Sequence, residues 1–81
     1  MSLVTLIANG GFQEISLTDC VVQNQSYSSI IVKEAATLPD TSNNGFILQP
    51  FQIEQFQLGA GNKLYASGTG SPANVYIEEI V

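Results

Sequence analysis

The residue types that do most protein chemistry are scarce in this chain. It has no His, Arg or Trp and a single cysteine, Cys20. A nucleophilic thiol needs a nearby cation or imidazole, whereas the neighbouring Asp19 carboxylate would raise the pKa of Cys20. Cys20 also begins a short apolar run with Val21 and Val22, where a free thiol usually packs as a small core side chain. The sequence therefore predicts no catalytic nucleophile and places Cys20 in the core.

The carboxylates are poorly placed for acid–base or metal chemistry. Glu78 and Glu79 are neighbours, so in a strand they point to opposite faces and cannot converge on one substrate. Residues 40–44 all carry oxygen donors suited to calcium, but Asp40 is their one carboxylate. The usual zinc sites need several His or Cys ligands. We expect no catalytic, cofactor-binding or metal-binding residues, and no enzyme activity.

Two segments match functional motifs by their letters alone. Gly68 to Ala73 fits the dinucleotide fingerprint G-x-G-x-x-[G/A], which works only between a strand and a helix whose N-terminus meets the pyrophosphate. A strand pattern follows here, so the segment is interpreted as a hairpin turn. Asn24 begins a glycosylation sequon, which matters only in a secreted chain, and the start of the sequence lacks the basic region of a secretion signal.

The elements that must position these residues are strands. Short runs of alternating or β-branched apolar residues recur at roughly even spacing, separated by turns rich in Gly, Pro and Asn. The predicted strands are 2–8, 15–22 with an irregularity at Asp19–Cys20, 26–34, 46–48, 51–58, 63–67 and 74–80. Seven or eight such strands predict an all-β fold, a small antiparallel β-sandwich that is jelly-roll-like and forms one domain over residues 1–81.

One predicted strand changes its apolar face partway along. Phe51 and Ile53 share one parity, whereas Phe56 and Leu58 share the other. A one-residue slip moves side chains to the opposite face of a sheet. We therefore expect a β-bulge, or a short turn between two strands, at positions 54–55.

Uncharged polar residues outnumber charged ones in this chain. Gln, Asn, Ser and Thr number 26, against two Lys and seven Asp or Glu, and the net charge is −5. That balance argues against a nucleic-acid or anionic-membrane partner. Uncharged polar groups can be buried in an interface at modest desolvation cost. Four glutamines between positions 49 and 57 lie among aromatic and aliphatic residues, which predicts that this segment faces another subunit.

Five segments carry a resemblance to a known class of proteins. They are residues 21–24 ending in Asn24, residues 30–34, residues 46–51 with Leu48-Gln49-Pro50, residues 63–68 with Leu64-Tyr65-Ala66, and residues 74–79 with Val75-Tyr76-Ile77-Glu78. The pattern resembles small β-sandwich proteins in the virions of tailed bacteriophages, over about residues 20 to 79. Phe51 stands where a turn glycine is frequent after the proline.

The resemblance implies a structural role in a virion. It suggests a protein that decorates or cements a capsid by binding between shell subunits, contacts a major capsid or other virion protein, forms a homo-oligomer and is assembled in the host cytoplasm. Residues 1–8 are a candidate strand for addition to a partner's sheet. The predicted partner-binding residues are Leu3, Val4, Leu6, Phe46, Gln49, Phe51, Gln52, Gln55 and Phe56.

Two other functions remain open. A tail or fibre accessory protein fits the same resemblance. A small carbohydrate-binding module is the other, because Tyr27, Tyr65 and Tyr76 could form an aromatic platform beside Asn and Gln amides.

Overall fold

A computed structural model describes residues 2–6, 11–39, 45–69 and 73–80. In these ranges the chain forms eight strands and no helix. The strands are β1 Ser2–Leu6, β2 Gln13–Ser16, β3 Cys20–Asn24, β4 Ile30–Ala35, β5 Phe46–Leu48, β6 Ile53–Phe56, β7 Lys63–Gly68 and β8 Ala73–Glu79. The predicted all-β class is confirmed.

The strands form two antiparallel sheets of four. Sheet A has the order β1-β8-β3-β6, and sheet B has the order β2-β7-β4-β5. Every connection crosses from one sheet to the other except the one between β4 and β5. The antiparallel pairs β1–β8, β2–β7, β3–β6 and β4–β5 enclose one another along the chain, and this is the arrangement of an eight-stranded jelly roll. The predicted sandwich is therefore confirmed together with its jelly-roll-like character.

The core lies between the two sheets and follows from the two-residue period of the strands. In β3, Cys20, Val22 and Asn24 are buried while the residues between them are partly exposed. Each large apolar side chain buried in this way contributes about 1.5–3 kcal/mol to stability. The buried cluster comprises Leu6, Ile15, Cys20, Val22, Ile30, Val32, Leu48, Leu64, Ala66, Ala73, Val75 and Ile77.

The predicted strand over residues 15–22 is two strands in different sheets. β2 ends at Ser16 in sheet B, and β3 begins at Cys20 in sheet A. Between them, Ser16 Oγ donates a hydrogen bond to the carbonyl oxygen of Thr18 (2.9 Å). The irregularity expected at Asp19–Cys20 is thus a crossing between sheets, which apolar parity alone does not reveal.

The face change predicted at positions 54–55 is wrong. β6 pairs with β3 in unbroken register, from Cys20↔Phe56 to Gln23↔Ile53. Phe56 lies opposite the buried Cys20 and faces inward, whereas Ile53 lies on the outer face and is 58% exposed. The error arose from assuming that Ile53 faces inward, and isolated apolar residues are common on protein surfaces.

β1 completes the chain's own sheet A. It pairs with β8 in antiparallel register over its whole length. Leu6 is fully buried in the core and Val4 packs against the core, so Leu6 offers a partner no side-chain surface. The prediction that Leu6 contacts a partner is therefore corrected. β1 is the outermost strand of sheet A, so its second edge is open and its addition to a partner's sheet stays a prediction. Positions 1, 7 and 8 of the predicted strand lie outside the described residues.

The glycine motif links two strands. Gly68 ends β7 and Ala73 begins β8, so a strand stands where the dinucleotide fingerprint requires a helix. Because β7 and β8 belong to opposite sheets, the interpretation as a hairpin turn is wrong. Residues 70–72 of the motif and the oxygen donors at 40–44 lie outside the described residues.

Candidate partner-binding surface

One side of the sandwich is formed by the outermost strands β5 and β6. β5 ends sheet B, β6 ends sheet A, and residues 49–52 connect them. Between the two strands lies a groove of about 510 Å³, which we call the edge groove. It is lined by Glu34, Phe46, Ile47, Leu48, Gln52, Glu54, Gln55, Phe56 and Gln57.

Aromatic side chains from both sheets meet in the edge groove. The ring centroids of Phe46 and Phe56 are 6.2 Å apart. Phe56 packs against the core, whereas Phe46 is 68% exposed. These two rings form an apolar wall that joins the two sheets at the edge groove. The chain enters β5 at Gly45, where it lies so close to β4 that a Cβ would be 2.7 Å from the carbonyl oxygen of Val32.

The connection from β5 to β6 is a tight turn. The Gln52 N–H donates to the Gln49 carbonyl oxygen (3.0 Å), and the Gln49 N–H donates to Gln52 Oε1 (2.9 Å). Pro50 occupies the second position, and Phe51 at the third position has φ 61°. A type II turn has this pattern and normally places glycine at the third position. The glycine that the resemblance led us to expect is replaced here by an aromatic residue with left-handed backbone.

Asn24 holds this turn against β3 and was missed as a key residue in the sequence. Its side chain is fully buried. Asn24 Nδ2 donates to the carbonyl oxygens of Ser28 (2.8 Å) and Leu48 (3.1 Å), and Asn24 Oδ1 accepts from Ser26 Oγ (2.6 Å). The Phe51 N–H donates to the Asn24 carbonyl oxygen (2.7 Å). The inward parity that Asn24 shares with Cys20 and Val22 was the available signal. Its burial also makes the sequon asparagine inaccessible in the folded chain.

An exposed aromatic pair projects beside the turn. Tyr27, in the β3–β4 connection, is 90% exposed, and its ring meets that of Phe51 nearly perpendicularly at a centroid distance of 5.3 Å. Gln25 Nε2 donates to Gln23 Oε1 (2.9 Å), and Gln23 Nε2 donates to the Phe51 carbonyl oxygen (3.2 Å). Two rings and a chain of amides thus lie together at this end of the molecule.

The three tyrosines proposed as a sugar platform do not share one surface. Tyr65 is only 4% exposed. Tyr76 lies on β8 and donates its hydroxyl hydrogen to Glu78 Oε2 (3.0 Å), which raises the pKa of Tyr76. Of the three, Tyr27 alone pairs with a second exposed ring.

The edge groove is acidic. Glu34 Oε2 accepts hydrogen bonds from the Gly59 N–H (2.6 Å) and Asn62 Nδ2 (2.7 Å), which lower the pKa of Glu34. Glu54 lies opposite the buried Val22 and accepts a hydrogen bond from a neighbouring glutamine. Both carboxylates line the groove. Within the described ranges, the structure contains an ion pair between Lys63 Nζ and Glu14 Oε1, which are 3.4 Å apart. Neither of these residues lines the groove.

The nine predicted partner-binding residues separate into two groups. Leu3, Val4 and Leu6 belong to β1, at the opposite end of sheet A, and of these Leu3 is 60% exposed. The structure brings the other six together around β5 and β6. These are Phe46, Gln52, Gln55 and Phe56 in the groove lining, and Gln49 and Phe51 in the adjoining turn. The exposed Ile53 on the outer face was absent from the predicted set.

Cys20 is fully buried, as predicted. Burial is the largest influence on its thiol and raises the pKa of Cys20, and the nearby carboxylates of Asp19 and Glu79 raise it further. A thiol with a raised pKa stays protonated and is a poor nucleophile.

In the described ranges, no group of three or more His, Cys, Asp or Glu side chains is placed to hold a metal ion. No helix there is long and apolar enough to cross a bilayer.

Comparison with known proteins adds no relative. No family model matches the chain, and neither the curated proteins nor the solved structures contain a significant match.

Proposed function

We propose that this protein is a non-enzymatic structural component of a bacteriophage virion, which decorates or cements the capsid by binding between shell subunits as a homo-oligomer. The sequence resemblance over about residues 20 to 79 supports this role. The jelly roll is a fold found in viral capsid proteins, in lectins and in cupins, so the fold is compatible with the proposal without selecting it.

The observation that carries the proposal is the gathering of exposed apolar side chains on the β5–β6 side. Phe46, Phe51 and Ile53 all expose about half or more of their surface there. Glutamines at positions 49, 52 and 55 surround them. The carboxylates of Glu34 and Glu54 lie on the same side. An apolar centre with a polar rim is the composition of a protein–protein contact.

The backbone of Phe51 supports the same surface. A non-glycine residue in the left-handed region costs about 1–2 kcal/mol, which glycine would avoid. Phe51 nevertheless holds φ 61° and leaves 48% of its side chain exposed. Such strain is characteristic of recognition sites, so we assign the Phe51 ring to partner contact.

The proposal is tested by mass spectrometry with copy counting on particles purified from the source of the gene. A few hundred copies per particle are expected for shell decoration, and about a dozen would move the protein to the tail or a fibre. Absence from particles would overturn the virion role.

A matched pair of variants tests the surface. Ile53→Ser removes an exposed apolar side chain from the β5–β6 side, whereas Leu17→Ser removes an equally exposed one from the β2–β3 connection. We expect Ile53→Ser to reduce the copy number and Leu17→Ser to leave it unchanged. Equal copy numbers for the two variants would show that this side does not bind the particle.

A carbohydrate-binding module is the second candidate, favoured by the Tyr27–Phe51 pair beside the Gln23 and Gln25 amides. Sugars bind through aromatic faces combined with amide hydrogen bonds. Glycan-array binding that is lost in Tyr27→Ala and kept in Tyr76→Phe would support this function over the first.

A further inference from the structure

The outer edge of β6 presents unpaired main-chain groups to the edge groove. The Asn24 N–H donates to the Gln52 carbonyl oxygen (3.1 Å), so Gln52 bonds toward β3. Alternate residues of an antiparallel strand direct their N–H and C=O groups to opposite neighbours. Glu54 and Phe56 therefore bond toward β3, and the main-chain groups of Ile53 and Gln55 face the open side.

This edge has the shape that an added strand requires. From Ile53 to Phe56, β6 keeps an unbroken register with β3, so no bulge within the strand turns its edge away. The pairing of Asn24 with both Phe51 and Gln52, which has the form of a bulge, lies before the strand begins. A strand laid along it would direct alternate side chains into the edge groove, against Phe46 and Phe56, and the others to the outer face beside Ile53.

The negative charge of the edge groove indicates which kind of strand would bind there. Glu34 and Glu54 both line the edge groove, and the hydrogen-bond donors that the structure gives them are a backbone amide and side-chain amides, all uncharged. An added strand would bring these carboxylates close to its own side chains. Among the described residues no Lys forms an ion pair with either carboxylate, so a Lys or Arg side chain of the added strand would complement them.

A second copy of this chain does not supply that complement from its strands. Its two cations are Lys33 in β4 and Lys63 in β7. Both strands have neighbours on each side in sheet B, so neither can be laid along another molecule's edge. The outermost strands β1, β2, β5 and β6 contain no Lys or Arg.

We propose that the edge groove binds an extended segment of another protein, which adds to β6 as a strand and places a Lys or Arg side chain against Glu54 and apolar side chains against Phe46 and Phe56. This inference rests on the proposed function, in which that segment belongs to a virion partner. It specifies the partner's chemistry at the same surface.

The test is selection of a random nine-residue peptide library against the immobilised full chain, followed by affinity measurement on the enriched peptides. We expect apolar residues alternating with a Lys or Arg. Ile53→Pro removes an N–H that faces the open side and leaves the bonds to β3 intact. It should weaken binding by about tenfold or more, as expected for the loss of an edge hydrogen bond and its geometry.

Two further changes separate edge pairing from unfolding. Thr5→Pro is the matched control, because Thr5 is exposed on the opposite edge strand of sheet A and its partner Asn74 bonds toward β3, and it should leave binding unchanged. N-methylation of alternate amides in the selected peptide removes hydrogen bonds between the peptide and the edge of β6 without altering the protein, and it should abolish binding.

The charge of the edge groove is tested by a third variant. Glu54→Gln should weaken binding by about threefold, in the range of a solvent-accessible ion pair.

Selection of no peptide, selection of peptides without a basic residue, or equal binding to the chain and to a folded Ile53→Pro variant would overturn the inference. Particle copy counting is independent of these results. A chain that is present on particles but selects no basic peptide keeps the proposed function and loses the strand-addition model. A chain that selects such peptides but is missing from particles keeps the strand-addition model and loses the proposed function.

Discussion

At the scale of single residues, two positions determine the shape of the β5–β6 side. Asn24 connects the carbonyl groups of Ser28 and Leu48 through one buried amide, and Phe51 completes the turn with a left-handed backbone. The first is stabilising, because it satisfies buried main-chain groups. The second is strained, and its ring is the part that remains exposed.

The strain at Phe51 predicts an inverted order of glycine and alanine. Both Phe51→Gly and Phe51→Ala lose the ring contact with Tyr27, but only glycine is relaxed at φ 61°. We expect Phe51→Gly to be more stable than Phe51→Ala by about 1 kcal/mol. Urea denaturation of the two variants measures the difference.

Gln52 provides the control for this comparison. It does not have a positive φ, so Gln52→Gly should be less stable than Gln52→Ala by about 0.5–1 kcal/mol. If alanine is preferred at position 51 as well, the left-handed conformation of Phe51 is not strained.

At the scale of elements, β4 is tied to the β6–β7 connection by one carboxylate. Glu34 accepts hydrogen bonds from the Gly59 N–H and from Asn62 Nδ2, and the first of these is the larger cause of its lowered pKa. The same connection turns at Gly61, which has φ 78°. Glu34 therefore stabilises the fold while also contributing charge to the edge groove.

This carboxylate predicts a dependence of stability on pH. Because the pKa of Glu34 is lower in the folded chain than its ordinary 4.5, the folded state favours the ionised form. Its contribution is present above pH 4.5 and is lost as the pH falls through the lowered value. We expect the urea midpoint of the wild type to fall more between pH 6 and acid than that of Glu34→Gln. Parallel curves for the two proteins would contradict this role.

β1 has two faces that should respond differently to truncation. Leu6 is buried in the core, whereas Leu3 faces outward. Leu6→Ala should lower the free energy of unfolding by about 2–5 kcal/mol through lost packing and cavity formation. Leu3→Ala should change it by no more than about 0.5 kcal/mol. Thermal or urea denaturation of both variants measures the contrast, and equal losses would show that β1 is not docked as described.

At the scale of the whole molecule, the jelly roll joins the two ends of the chain. β1 pairs with β8, and β2 pairs with β7, so the outer pairs form between the most distant parts of the sequence. In domains built from such distant pairs, the chain loses loop-closure entropy before the stabilising contacts form, so folding takes milliseconds to seconds. Cys20 lies in the middle of sheet A and is covered by this arrangement.

Cys20 therefore reports the opening of the whole sandwich. A domain of this size has a stability of about 4–12 kcal/mol. We expect a thiol-reactive dye to label native Cys20 at least about 10³ times more slowly than the urea-unfolded chain. Labelling at a similar rate in both states would show that local motion near β3 exposes the thiol without unfolding.

Much of the secondary structure could be predicted because each strand carries its own alternation. Val22 and Ile77 show their inward positions in the local pattern. Four residues of the predicted partner-binding set, Phe46, Gln52, Gln55 and Phe56, lie together in one groove, and their contact with a partner stays a prediction. Ile53 was misassigned because an apolar side chain on the outer face of an edge strand has the same local signature as one in the core.

The sequence by itself determined the all-β class and the approximate positions of most strands, because both depend on the two-residue period of the local chain. It also limited the available chemistry, because the absence of His and Arg and the single Cys are properties of composition. The tertiary structure decided which strands pair, because alternation gives a side chain its face but does not choose its sheet. Only that pairing places β5 beside β6, uses Leu6 in the core, and brings Glu34 and Glu54 into one groove beside an open strand edge.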